Sequence, residues 1–228
     1  MPRTARVTPG GLVYHVLNRG VGRMEIFSGR QDYAAWERVI EETLRVAPMR
    51  ICAYCWMPNH WHLVLWPQQN AALSEFMQRV SNMHTQRWQR AKGRVGDGRL
   101  YQGRFMSFPV DSDEHFYNLI RYVERSALRA ALVERAEQWP WCSLSGRMGS
   151  RRVSWLSDWP VPMPANWVEL VNQPQTEAEL QAIRRCLRRG SPYGRPTWTE
   201  ETAAELHLQS TLRPRGRPRG DNSPRDTA

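Results

Sequence analysis

The chain has 228 residues, 41% of them hydrophobic, which is enough for a buried core and too apolar for a wholly disordered protein. Its 32 Lys and Arg outnumber 22 Asp and Glu, for a formal charge of +10 and a pI near 10.2, so an anionic partner, nucleic acid first, is expected. No apolar run approaches the roughly 18 to 20 residues of a membrane span, and the four cysteines make no dense framework, so a soluble cytoplasmic protein is expected.

The first dozen residues, rich in Pro, Gly and Arg, are read as irregular. Val13 to Asn18 alternates as a strand and stops at Arg19-Gly20. Ala35, Trp36, Val39, Ile40 and Leu44 recur at helical spacing and predict a helix over 31–46. Strands follow at 50–56 and 60–66, joined by a tight Pro58-Asn59 turn. A long helix over 72–92 presents Leu73, Phe76, Met77, Val80 and Met83 on one side. After a glycine-rich loop at 93–98, residues 100–110 read as a strand. Asp111 and Glu114 then form a capping box for a helix reaching about Leu132. Residues 143–167, dominated by Gly, Ser, Pro and Trp, read as irregular; helices are expected near 177–189 and 200–208. The order predicts an α+β fold, an antiparallel sheet with packed helices in a split βαβ layout. Of the eleven tryptophans, several are expected in the core and others exposed for stacking.

Two features carry chemistry. In Met57-Pro58-Asn59-His60-Trp61-His62-Leu63, strand alternation puts His60 and His62 on one face and Trp61 on the other. Two imidazoles on a rigid strand suit a metal whose remaining positions are filled by water or phosphate oxygens. A zinc cluster of Cys52, Cys55, His60 and His62 is a weaker alternative, because positions 52 and 55 should lie on opposite strand faces. In the helix after Asp111, Phe116, Leu119, Ile120, Val123 and Ala127 form an apolar stripe. Tyr122 borders that stripe among Arg121, Arg125 and Arg129. A phenol is a poor nucleophile near its ordinary pKa of about 10, and cations beside it with a polarised phosphate lower the barrier. Periodicity alone does not separate this role from simple packing.

Together these residues resemble the REP-associated tyrosine transposases, a branch of the single-tyrosine HUH transposases. The likeness runs from about Gly10 to Leu144. It takes in Val13-Tyr14-His15-Val16-Leu17-Asn18-Arg19, the His60-Trp61-His62 motif, Gln102-Gly103-Arg104-Phe105, Arg121-Tyr122-Val123-Glu124-Arg125 and Trp139-Pro140-Trp141-Cys142-Ser143. The resemblance implies a ferredoxin-like or RNA-recognition-like palm over 1–145; beyond it, composition and periodicity are read as a helical extension over 146–212 and a disordered basic tail over 213–228. It implies Mg²⁺ or Mn²⁺ on His60 and His62, and Tyr122 attacking single-stranded DNA at repetitive extragenic palindrome hairpins to leave a 5′-phosphotyrosine. His15, Asn18, Arg19, Arg104, Arg121 and Arg125 would lie near the DNA, in a monomer or homodimer associated with the nucleoid. Ser126 stands where the family has an Asn or Gln ligand. One turn after the tyrosine it faces the same site, and its hydroxyl is a weaker metal ligand. A hairpin-binding protein with weakened or lost chemistry is therefore the alternative. Pro214 to Arg219 resembles an AT-hook core, in which Arg215, Arg217 and Arg219 would enter a minor groove; a solvated basic tail is the other reading.

Overall fold

In this computed structural model, residues 7–112, 114–148 and 153–213 are described. Four apolar segments form strands β1 (Val13–Arg19), β2 (Arg50–Met57), β3 (His60–Trp66) and β4 (Met106–Val110). They make one antiparallel sheet in the order β2-β3-β1-β4. Helix α1 (Arg30–Val46) lies between β1 and β2, and α2 (Ala72–Ala91) between β3 and β4. The first six elements thus run βαββαβ, as the periodicities predict. Both helices pack on one face, where Trp36 stacks on Trp61 with ring centroids 5.3 Å apart and meets Trp56 edge-on at 5.5 Å. Burying such side chains contributes about 1.5–3 kcal/mol each. At the far end of this layer Asp32 accepts from Ser28 and from Lys92, tying the start of α1 to the end of α2.

The second face is covered by α3 (Glu114–Glu124), through Phe116, Leu119, Ile120 and Val123. After it come α4 (Ser126–Arg129), α5 (Ser143–Met148), α6 (Trp167–Asn172), α7 (Glu177–Arg189), α8 (Pro196–Glu205) and α9 (Gln209–Leu212). Trp167 of α6 and Ile183 and Cys186 of α7 join the core of this face, so the extension shares the core beneath α3.

Several expectations are corrected. The strand expected over 100–110 begins only at Met106. Before it, Tyr101 makes a single bridge to Gly20 and turns its hydroxyl inward to Trp61 Nε1 and His84 Nδ1. The helix expected to reach Leu132 breaks at Arg125, where the Tyr122 carbonyl takes side-chain donors from Ser126 and Arg129. Asp111 does not form the expected box with Glu114. Its carboxylate accepts from the Ser112 amide and from Arg195. The segment 143–167 holds α5 and the start of α6; α7 spans 177–189 as expected, and the helix expected near 200–208 begins earlier, at Pro196, whose ring suits the first helical turn. No tryptophan is exposed. Cys52 and Cys55 share a face, because β2 is bulged between Ile51 and Ala53 and the extra residue reverses the alternation. Even so, among the described residues no three His, Cys, Asp or Glu side chains gather as a metal cage, and all four cysteines are free and buried. No helix among the described residues is long and apolar enough to cross a membrane.

Candidate active site

The site lies where β3 leaves its hairpin beneath the end of α3. Pairing of β3 with β1 and β2 fixes its register, with Arg19 and Met57 opposite His60, and Leu17 and Cys55 opposite His62. The pleat therefore sends both imidazoles toward the α3 face, with ring centroids 5.0 Å apart and planes at 82°. The apolar stripe of α3 seats on the sheet through Leu119, Ile120 and Val123. That seating brings the Tyr122 ring edge-on to His62, centroid to centroid 5.9 Å. Three residues separated by up to 62 positions in sequence thus share one small volume.

Burial governs the chemistry of the histidines. It lowers the pKa of His60 to about 4, with Arg19 and Arg129 adding to the effect. It also lowers that of His62 well below the ordinary value, with His60 and His15 contributing, and that of His15 to about 3. At neutral pH all three rings are uncharged, so each has a nitrogen lone pair to give. His62 Nδ1 is engaged by His15 Nε2 at 3.0 Å, and His60 Nδ1 by Asn59 Oδ1 at 2.6 Å. The nitrogen left to each ring for a ligand is Nε2. Two neutral imidazoles suit a divalent ion that takes its other ligands from water or phosphate, and the donor set fits such an ion.

Tyr122 is 7% exposed, and one face of its ring is covered by the Arg129 guanidinium, 4.1 Å from the ring centroid. Arg129 Nη1 donates to the Tyr122 carbonyl and Nη2 to Ser126 Oγ, both at 3.0 Å. Ser126 Oγ in turn donates to the same carbonyl at 3.0 Å. The serine hydroxyl is thus a brace between the helix end and Arg129. Burial lowers the Arg129 pKa while the nearby Tyr122 raises it.

The remaining residues singled out by sequence divide into three groups. Asn18, Arg104 and Gly103 line a groove of about 850 Å³ beside α2, and Asn18 Nδ2 donates to the Gly103 carbonyl. Arg104 is exposed there, and Arg19 sits opposite His60 with its Nε buried and unpartnered. His15 is not at a surface that DNA can reach: it is fully buried between His62 and Phe108. Arg121 and Arg125 are also turned away, into the extension. Arg121 donates to the carbonyls of Leu170 and Gln173 and pairs with Glu179 at 3.6 Å, and Arg125 donates to Asn172. They satisfy carbonyls at the end of α6 that would otherwise lack donors. Arg215, Arg217 and Arg219 lie outside the described residues.

Sequence reasoning missed Glu124. Wholly buried two residues after the tyrosine, it accepts from Ser143 Oγ at 2.6 Å and Trp167 Nε1 at 2.7 Å. Burial raises its pKa, against those hydrogen bonds and Arg147. A charged residue at an inward helix position was the available signal.

The fold and site define an α+β palm with a histidine pair on the inner strand β3 and a tyrosine on the helix above it. The chain belongs to the IS200-like transposase family, whose description, Transposase IS200 like, matches residues 10–126. Among solved structures it is similar to a REP-associated tyrosine transposase bound to a REP hairpin, at 16% identity and a TM-score of 0.52, over 72% of this chain and 98% of that one. This likeness shows a shared fold. A transposase from Deinococcus radiodurans R1 also matches at 16% identity, over 54% of this chain and 97% of that one, with a TM-score of 0.37. No curated protein matches the chain.

Proposed function

We propose that this transposase is a metal-dependent endonuclease and strand transferase that cuts and rejoins single-stranded DNA at REP-type hairpins through Tyr122. The observation that carries the reading is the 5.9 Å approach of the Tyr122 ring to His62, on the face that His60 also shares. The similar protein bound to a REP hairpin, the +10 charge and the groove bearing Arg104 support the substrate class.

His60 and His62 would hold Mg²⁺ or Mn²⁺ through Nε2, and such an ion supplies Lewis acidity and charge neutralisation at the phosphate. Tyr122 Oη forms the new bond to phosphorus and loses its proton to solvent. The 3′-oxygen leaves with the P–O electron pair and takes up a proton, leaving a 5′-phosphotyrosine. Attack by another DNA 3′-hydroxyl reverses these events and frees the phenol. Arg129, held over the ring, favours negative charge developing on the phenol oxygen.

Labelled hairpin DNA with Mg²⁺ is expected to give a denaturation-resistant adduct with the protein, and none with Tyr122→Phe. An equal adduct in that variant removes Tyr122 from the mechanism. A second reading, a hairpin binder without chemistry, draws support from Ser126, whose hydroxyl is already engaged on both sides. It predicts tight binding and no adduct with either ion.

A further inference from the structure

Each imidazole of the pair is engaged at Nδ1 by a neighbouring side chain, His60 by Asn59 and His62 by His15. Asn59 sits in the hairpin turn, where its Nδ2 donates to the Arg23 carbonyl at 3.4 Å. That contact turns the amide oxygen toward His60, 2.6 Å from Nδ1. A carbonyl oxygen only accepts, so His60 carries its proton on Nδ1 and its lone pair on Nε2. On the neighbouring ring, His15 Nε2 faces His62 Nδ1 at 3.0 Å, the two rings stacked at 28° with centroids 5.2 Å apart. His15 is fully buried and its own Nδ1 has no partner, so its one polar contact is with His62. Phe108, 5.0 Å away, backs the ring from β4. An unpartnered nitrogen in a packed core is costly, and a leucine or phenylalanine would fill the same volume without it.

We propose that Asn59 and His15 are positioning residues that hold the ring planes of His60 and His62 by accepting hydrogen bonds from their Nδ1–H groups, so that both Nε2 lone pairs turn toward one ligand. The inference deepens the metal reading above and rests on it. Histidine ligands of metals characteristically give their second N–H to such a partner, and loss of the partner weakens affinity about 10–100-fold. Asn59 follows from the chemistry of the amide alone. His15 accepts from His62 whenever the His62 Nε2 lone pair is engaged by an ion, since the ring then keeps its proton on Nδ1.

The test uses the full chain, with Mn²⁺ alone as the probe and two readouts. Ring ¹⁵N spectra assign the proton of His60 before any metal is added, and Mn²⁺ titration measures affinity. The expected result is a His60 proton on Nδ1 and a 10–100-fold loss of Mn²⁺ affinity in Asn59→Ala. Asn59→Asp, which keeps an acceptor, should bind within about threefold of the unaltered protein. His15→Phe should lose affinity similarly and His15→Gln should restore most of it, with thermal unfolding showing which variants are folded. Because Asn59 lies on the turn, Asn59→Ala keeps the test decisive even where a His15 variant fails to fold. A His60 proton on Nε2 overturns the proposal, as does unchanged Mn²⁺ affinity in both Asn59→Ala and a folded His15→Phe. No Mn²⁺ binding by the unaltered protein overturns the metal reading instead, and the spectra then still decide whether Asn59 sets His60.

Discussion

Removal of Arg129 tests how the tyrosine is held. Its guanidinium lies 4.1 Å from the Tyr122 ring centroid and donates to the Tyr122 carbonyl and to Ser126 Oγ. A partly desolvated cation–π contact is worth about 1–2 kcal/mol, and a hydrogen bond from a charged donor about 1.5–3. These terms overlap, since one rigid fork makes all three contacts. A net loss of about 2–4 kcal/mol is expected for Arg129→Ala, visible as a lower Tm. Arg129→Met keeps the stem packed and isolates the charge and fork. Arg129→Lys keeps the charge and loses the fork, and should fall between wild type and Met. If the guanidinium also favours charge on the phenol, adduct formation under single turnover slows about 10–100-fold in Arg129→Met, equivalent to about 1.4–2.8 kcal/mol. The assay is the rate of covalent capture of labelled hairpin DNA at saturating protein, beside thermal unfolding of each variant. An Arg129→Met protein that forms adduct within twofold of wild type, at a temperature where it is folded, would refute the role in chemistry. An unchanged Tm would refute the brace.

Ser126→Ala should lower stability by about 1–2 kcal/mol through the lost acceptor for Arg129, yet leave Mn²⁺ affinity within twofold; a tenfold loss of affinity would make the serine a metal ligand after all. Glu124 is ionised outside its raised native pKa range only at some cost, so its contribution to stability is full below the unfolded-state pKa and is lost as pH rises through the native one. Thermal unfolding of wild type relative to Glu124→Gln should therefore improve as pH falls through that window, and parallel curves would discard the account. Arg121→Ala should expose residues 153–213 to limited proteolysis while leaving the salt dependence of hairpin binding unchanged, because its donors go to Leu170 and Gln173. Arg104→Ala, by contrast, should reduce the slope of log affinity against log salt by about 0.7, and equal slopes would remove it from the DNA path.

The palm was legible because its strands are short apolar runs bounded by turn residues and its helices carry apolar residues at helical spacing. Strands at Val13, Arg50 and His60, and the helices around Trp36 and Phe76, fall within a few residues of where alternation and the 3.6-residue repeat put them. What failed depended on side chains reaching the backbone from elsewhere. Nothing local to Ser126 announces that it and Arg129 will both seize the Tyr122 carbonyl and end the helix. The bulge after Ile51 is likewise invisible in the apolar run that hides it, and it alone put Cys52 on the face of Cys55. Segments 143–148 and 167–172 are too short for their period to stand above the surrounding Gly, Ser and Pro, and they are held by contacts such as Trp167 to Glu124.

The arginines show why a basic stretch cannot be read as a binding face from charge alone. Arg121, Arg125 and Arg129 follow one another at helical spacing around a tyrosine, and sequence treats them as equals. In the fold two serve the end of α6 and one the tyrosine, because the extension returns over α3 and presents carbonyls that need donors. Arg121, engaged by the carbonyls of Leu170 and Gln173 and by Glu179, has little left for phosphate, whereas Arg125 donates through Nη2 to Asn172 and keeps its Nε unpartnered. Among the exposed arginines, Arg99 and Arg104 line the groove beside α2, and Arg185 and Arg188 stand on α7 of the extension. A strand cut at Tyr122 while its hairpin lies in that groove would pass the end of β1, where Asn18 lines the groove and Arg19 lies opposite His60. Because residues 98–101 and 103–105 line that groove, shortening this loop should weaken hairpin binding along with cleavage, whereas Tyr122→Phe should abolish the adduct and leave hairpin binding in place.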